Sequence, residues 1–268
     1  MTGLNSLQTA MAALLVAALL GAVASPAQGQ VDATLRRAER SGAQLHELER
    51  VFTAAKAAGE EMRAFRRSDR ITAWVADRRD GGYRVIFAGE DRQGRPIGLF
   101  QVTVAASGDV TQDIHKLDKE PLDGALAAQY FARRLAENTE HAACSTTYMT
   151  LALAADEPGA TGWQVYLLPT SSFSDVLMVG GSYRMEVSAA GDTVRASQAL
   201  GGAGCAVLQN PADAAVLQVD AGLGAGPNEL HVYLALQARK PLYVVSGDRT
   251  WLVRDGRIQL AAPRPQRP

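Results

Sequence analysis

Tyr83-Arg84-Val85-Ile86, a glycine-bearing loop, and then Phe100-Gln101-Val102-Thr103-Val104-Ala105-Ala106-Ser107-Gly108-Asp109 set out an order of residue types that returns once. Trp163-Gln164-Val165-Tyr166 leads by the same kind of loop into Tyr183-Arg184-Met185-Glu186-Val187-Ser188-Ala189-Ala190-Gly191-Asp192. In both stretches an aromatic residue opens an alternating strand and Gly-Asp closes it. Phe100 and Tyr183 are 83 residues apart, well beyond the roughly 20–50 residues of a solenoid period. The spacing predicts two copies of a small domain rather than a repeat array.

Working outward, the first copy is placed at residues 30–118 and the second at 119–208. Val31 to about Phe65 reads as one long helix, with Leu45, Leu48, Phe52, Ala55 and Met62 forming a stripe at three-and-four spacing. Gly42 and Gly59 each weaken it by about 1 kcal/mol relative to Ala, which leaves a break near either compatible with the pattern. Strands Ile71–Ala76 and Tyr83–Ala88 flank Asp80-Gly81-Gly82, a hairpin signal, and a third runs over Gly98–Ala105. In the second copy a helix from Pro121 carries the stripe Ala125, Ala128, Ala132, Leu135 and Ala142. Strands Thr146–Leu153, Trp163–Leu168, Val176–Val179 and Tyr183–Ser188 follow. Residues 209–262 read as a C-terminal β section. There Leu230, Val232, Leu234 and Leu236 alternate with His231, Tyr233, Ala235 and Gln237, a strand pattern. Pro241–Ser246, Trp251–Val253 and Ile258–Leu260 continue it, the last two joined at Asp255-Gly256. The expected fold class is α+β: tandem units of a helix packed on an antiparallel sheet, then the β section, with 263–268 a disordered or extended tail.

A helix followed by a curled antiparallel sheet that closes on an alternating strand and a Gly-Asp turn resembles the PepSY and cystatin-like class of exported modules. The residues carrying the resemblance are Gln101 to Val110 and Arg184 to Val194. It implies a scaffold that binds peptides or proteins, sometimes as an inhibitor, and brings no catalytic residue with it.

Residues 1–29 are expected to be a signal peptide, processed after about Ala24 or Gly29. Met11–Ala24 is an uncharged run of small and aliphatic residues ending in Ala22-Val23-Ala24, a short apolar core with an A-x-A-like end. It is short for a membrane span. Met1–Ala10 lacks Lys and Arg, a departure from the signal-peptide pattern, and the alternative, weighed on length, is a retained N-terminal anchor. The expected location is periplasmic or secreted, with no integral span in the mature chain. With 27 basic and 28 acidic residues there is no electrostatic footprint for nucleic acid or anionic membrane. Cys144 and Cys205, an even pair in an oxidising compartment, predict a disulfide closing the two ends of the second copy. The competing reading, His141 and Cys144 sharing a metal, supplies only two ligands.

No catalytic, cofactor or metal residue is singled out. His46, His115, His141 and His231 are scattered, and neither H-E-x-x-H nor a G-x-S-x-G elbow is present. Ser171-Ser172 with Asp175 reads as a turn. Gly222-Leu223-Gly224-Ala225-Gly226-Pro227 fails the dinucleotide pattern at Pro227 and reads as a loop. Asp77, Asp80, Glu90 and Asp91, interleaved with Arg78, Arg79, Arg92 and Arg95, read as a salt-bridged rim. Trp74, Trp163 and Trp251, one in each section, are the candidate ligand contacts against a default of core packing. The expected function is a non-catalytic module that docks a protein or peptide through its sheet. The alternatives are a hydrolase assembled from distant loops, with His231 or His115 as base, and a structural envelope protein.

Overall fold

The computed structural model of the chain describes residues 26–155, 161–202, 204–221 and 226–261, with side chains from residue 31 onward. The signal peptide as far as residue 25, the 263–268 tail and most of the glycine-rich loop at 222–227 therefore lie outside the described residues. Among the described residues the fold is α+β, with four helices and several antiparallel sheets.

Helix α1 (Pro26–Glu61) is 36 residues long and begins five residues before the expected start. Its buried stripe, Leu45, Leu48, Val51 and Ala55, packs on one face of a sheet. The break falls at Met62, whose backbone is extended, and the chain then makes the short helix α2 (Arg63–Arg66). Gly59 makes the corner. A Cβ there would meet the Phe65 ring at 2.7 Å, and Phe65 folds back to stack edge-on against Phe87 and Phe100.

The first sheet is a meander of β1 (Ala73–Arg79), β2 (Gly82–Glu90), β3 (Pro96–Ala105) and β4 (Val110–Pro121), in that order. Strand β4 corrects the expectation that residues after 109 lead directly to a helix. Pro121 ends a strand instead of starting a helix, and the proposed 118/119 boundary falls inside β4. Only Leu117 is buried in β4, so an edge strand wet on nearly every position shows no alternation. Helix α3 (Gly124–Glu137) then starts three residues later than expected, and Ala142 lies beyond its end.

The second sheet orders β5 (Tyr148–Ala154), β6 (Trp163–Pro169), β8 (Tyr183–Val187) and β9 (Val194–Ala199), all antiparallel. Between its strands, β7 (Val176–Met178) leaves the sheet to pair with β10 (Val207–Gln209). The two sheets share connectivity and register. Tyr83 lies opposite Val104 as Trp163 lies opposite Val187, and Phe87 opposite Phe100 as Leu167 opposite Tyr183. Val104 faces Val110 and Val187 faces Val194 on the next strand. Val102 and Val104 pack with α1, while Met185 and Val187 pack with Ala132 and Ala136 of α3.

The C-terminal section is not all β. After β11 (Leu217–Asp220) the stretch expected to be a strand forms helix α4 (Glu229–Ala238), followed by β12 (Leu242–Ser246), β13 (Arg249–Arg254) and β14 (Arg257–Leu260). Strands β11 and β12 pair in parallel, as a strand–helix–strand crossover requires, and the rest is antiparallel. Asn228 caps α4 through a capping box with His231. Its residues are buried on nearly every side, between α1 and the third four-stranded sheet, ordered β11-β12-β13-β14. The sulfurs of Cys144 and Cys205 are bonded, tying the segment after α3 to the segment after β9.

Candidate functional site

Strands β1 and β5 are edges of their sheets, each paired on one side only. Helix α3 packs against β1, β5 and β6 and so lies along the seam between the two edges. Backbone groups of alternate residues point to opposite sides of a strand. The Ala76 N–H points away from β2 and donates to Gln129 Oε1 at 2.8 Å. On the other side Gln129 Nε2 approaches the Ala152 carbonyl at 3.5 Å, a long and weak hydrogen bond. One carboxamide thus accepts from one edge and donates to the other. Each peptide unit of a central strand presents the same pair of groups to its two neighbours. Gln129 is only 7% exposed, and its amide links the two edges.

From Gln129 outward the seam opens into a cleft of about 700 Å³, lined by Ala76–Arg79 of β1 and Ala152–Ala155 around the end of β5. Gln44 and Leu48 of α1 form one wall, and Asp123 to Leu126 at the start of α3 form the other. By the two-residue period set at Ala76 and Ala152, the backbone groups of Arg78 and Ala154 face the cleft, where no strand pairs with them. Each lining stretch is four residues long, enough for about 13 Å of extended chain.

Inward from Gln129, one helical turn along α3, lies Arg133. It is 3% exposed, and its guanidinium sits 4.2 Å from the centre of the Trp74 ring. Phe52 of α1 stacks on Trp74 at 4.6 Å. Because α1 and α3 lie on opposite faces of β1, the Arg133 side chain must pass the open edge of β1 to reach that ring. No carboxylate among the described residues lies within ion-pair distance of it, and Nε has no hydrogen-bond partner. Burial holds the guanidinium down, to about 10, and the charge of Glu137 opposes that effect from a distance.

The charges expected to form a salt-bridged rim pair only in part: Asp77 with Arg79, and Asp91 with Arg95 outside the cleft lining, while Glu90 accepts from the Tyr130 hydroxyl instead. Asp77 also binds Arg84, and Arg78 approaches Glu47. Tyr83 donates to Glu47 at 2.7 Å, and burial together with that carboxylate pushes its phenol well up. Of the three tryptophans, only Trp163 lines the cleft. Trp74 and Trp251, 6% and 8% exposed, are core residues and not open to a ligand.

The histidines remain apart. His231 is fully buried, and its Nδ1 accepts from the Asn228 N–H. His115 and His141 approach backbone carbonyls. His46 Nδ1 comes no closer than 3.7 Å to Glu49, an i,i+3 neighbour on α1. Among the described residues no group of three metal-ligating side chains occurs, and Cys144 is held in its disulfide. None of the described helices is long and apolar enough to cross a membrane.

The sequence reading missed both Gln129 and Arg133. The available signal was their four-residue spacing on the stripe Leu126, Tyr130, Ala136, which marks long polar side chains on a buried face. No protein-family model, no curated protein and no solved structure matches the chain.

Proposed function

We propose that this protein is an exported, disulfide-stabilised, non-catalytic module that binds an extended peptide segment of another protein by strand addition between β1 and β5. The observation that carries the reading is the Gln129 carboxamide, hydrogen-bonded across the seam between two strand edges as a single peptide unit would be. Strand addition draws its affinity from main-chain hydrogen bonds and its selectivity from pockets for alternate side chains. The cleft offers both. Backbone groups of Arg78 and Ala154 flank it, and Leu48, Leu126 and Trp163 line its walls. The resemblance to PepSY and cystatin-like modules supports the same reading. The N-terminal apolar segment and the disulfide support export. The shared register of the first two sheets supports their origin by duplication.

Peptides selected from a random library, followed by amide hydrogen exchange in the complex, test this reading. Strand addition slows exchange at the Arg78 and Ala154 amides together. Bound peptides that leave both amides unchanged overturn it.

A further inference from the structure

If the seam accepts a strand at all, its inner end determines what kind of strand. The cleft is lined at one end by Arg78, Arg79 and Tyr83 around the β1–β2 turn and at the other by buried Gln129, so a chain passing through would have to leave across a buried seam. A chain that ends inside has no such difficulty. Immediately behind Gln129 is a cation, Arg133, 3% exposed and set against the Trp74 ring. Gln129 and Arg133 are one turn apart on α3, about 6 Å, close to two residues of extended chain. A peptide unit that replaces the Gln129 amide, with its chain running inward, would point the chain's end towards the guanidinium. A planar guanidinium is suited to bind a carboxylate through two parallel hydrogen bonds.

Resting on the strand-addition reading, we propose that the seam receives the free C-terminal end of an extended peptide. The peptide's last amides take over the two hydrogen bonds of Gln129, and its α-carboxylate pairs with Arg133. The rim leaves room for this selectivity, because Asp77 is already held by Arg79 and Arg84. Among the described residues, the cleft arginines Arg78, Arg79 and Arg84 are ion-paired, whereas Arg133 beyond the cleft's inner end is not. The charge of a bound anion would also offset the burial that now disfavours the charged guanidinium.

Two random peptide libraries, one displayed with free C-termini and one fused at both ends, separate the possibilities. The proposal expects binders from the free-ended library. A selected peptide should bind at least about tenfold more tightly as the acid than as its C-terminal amide. Arg133→Met should reduce that ratio to about twofold or less, with the acid and amide compared on the same folded sample so that any general weakening cancels. Equal binding of acid and amide by the wild-type protein overturns the C-terminal proposal, and so do binders that come equally from both libraries. Either result leaves strand addition standing if the Arg78 and Ala154 amides are protected. Binders that protect neither amide, or no binder from either library, overturn both.

Discussion

His231 is fully buried, and burial lowers its pKa from 6.5 to about 4. In the unfolded chain the imidazole titrates near its ordinary value, so between those two pH values the unfolded state binds more protons than the fold. Stability is therefore intact above about pH 6.5 and falls as the pH drops towards 4, by roughly 3 kcal/mol in all. His231→Gln keeps an acceptor at the capping-box position and removes the titration. Urea unfolding from pH 7 to 4 should show the wild type losing about that much more stability than the variant, and parallel curves would refute the assignment. Phe100 gives a second measure at this scale. Truncating this ring, 3% exposed and set against Phe65, should cost about 3–5 kcal/mol in denaturant melts, whereas Gln101→Ala should stay within about 0.5 kcal/mol. The disulfide partners were legible from two cysteines and a compartment argument. Gln129 and Arg133 were not, because their role comes from two strand edges brought together by separate parts of the chain, and nothing local in α3 shows that juxtaposition.

The hairpin strands were readable from sequence because Asp-Gly turns and period-two alternation agree. Helix α4 was not, because a helix buried on nearly all sides carries no polar face and its 3.6-residue period disappears. Leu230 to Gln237 alternates in sequence by coincidence. The overlooked signal was Asn228, a favoured N-cap residue following Pro227. Gly42 shows how α4 is accommodated. A Cβ on it would meet Val232 Cβ at 2.5 Å and the Glu229 carbonyl oxygen at 2.6 Å. The glycine that weakens α1 by about 1 kcal/mol is thus what lets α1 and α4 approach. Gly42→Ala should improve helix propensity and still destabilise the protein by a net amount of about 1–3 kcal/mol, because α4 must move away. A melt showing the variant more stable than wild type would mean that the close approach carries no weight.

At the scale of the whole molecule, three sheets share one main core. Val85 of the first, Leu151 and Leu168 of the second, and Leu242 and Val253 of the third belong to a single buried cluster filled by α1 and α4. The sequence divided the chain into successive units because covalent order is what it records; the shared core depends on α4, which was misread. Such a core couples the sheets, so a constraint applied to one of them should stabilise all. The Cys144–Cys205 bond encloses a sequence separation of 61 in the second sheet's segment. Opening it relaxes the unfolded chain and should cost about 2–4 kcal/mol. The sequence supplies one reporter per sheet: Trp74 on β1, Trp163 on β6 and Trp251 on β13. In each of three variants that keep one tryptophan, the other two replaced by Phe, fluorescence and far-UV circular dichroism should give one coincident urea midpoint. Cys144→Ser/Cys205→Ser should lower all three midpoints together. If only the Trp163 variant responds, the second sheet unfolds by itself and the main core does not couple the three.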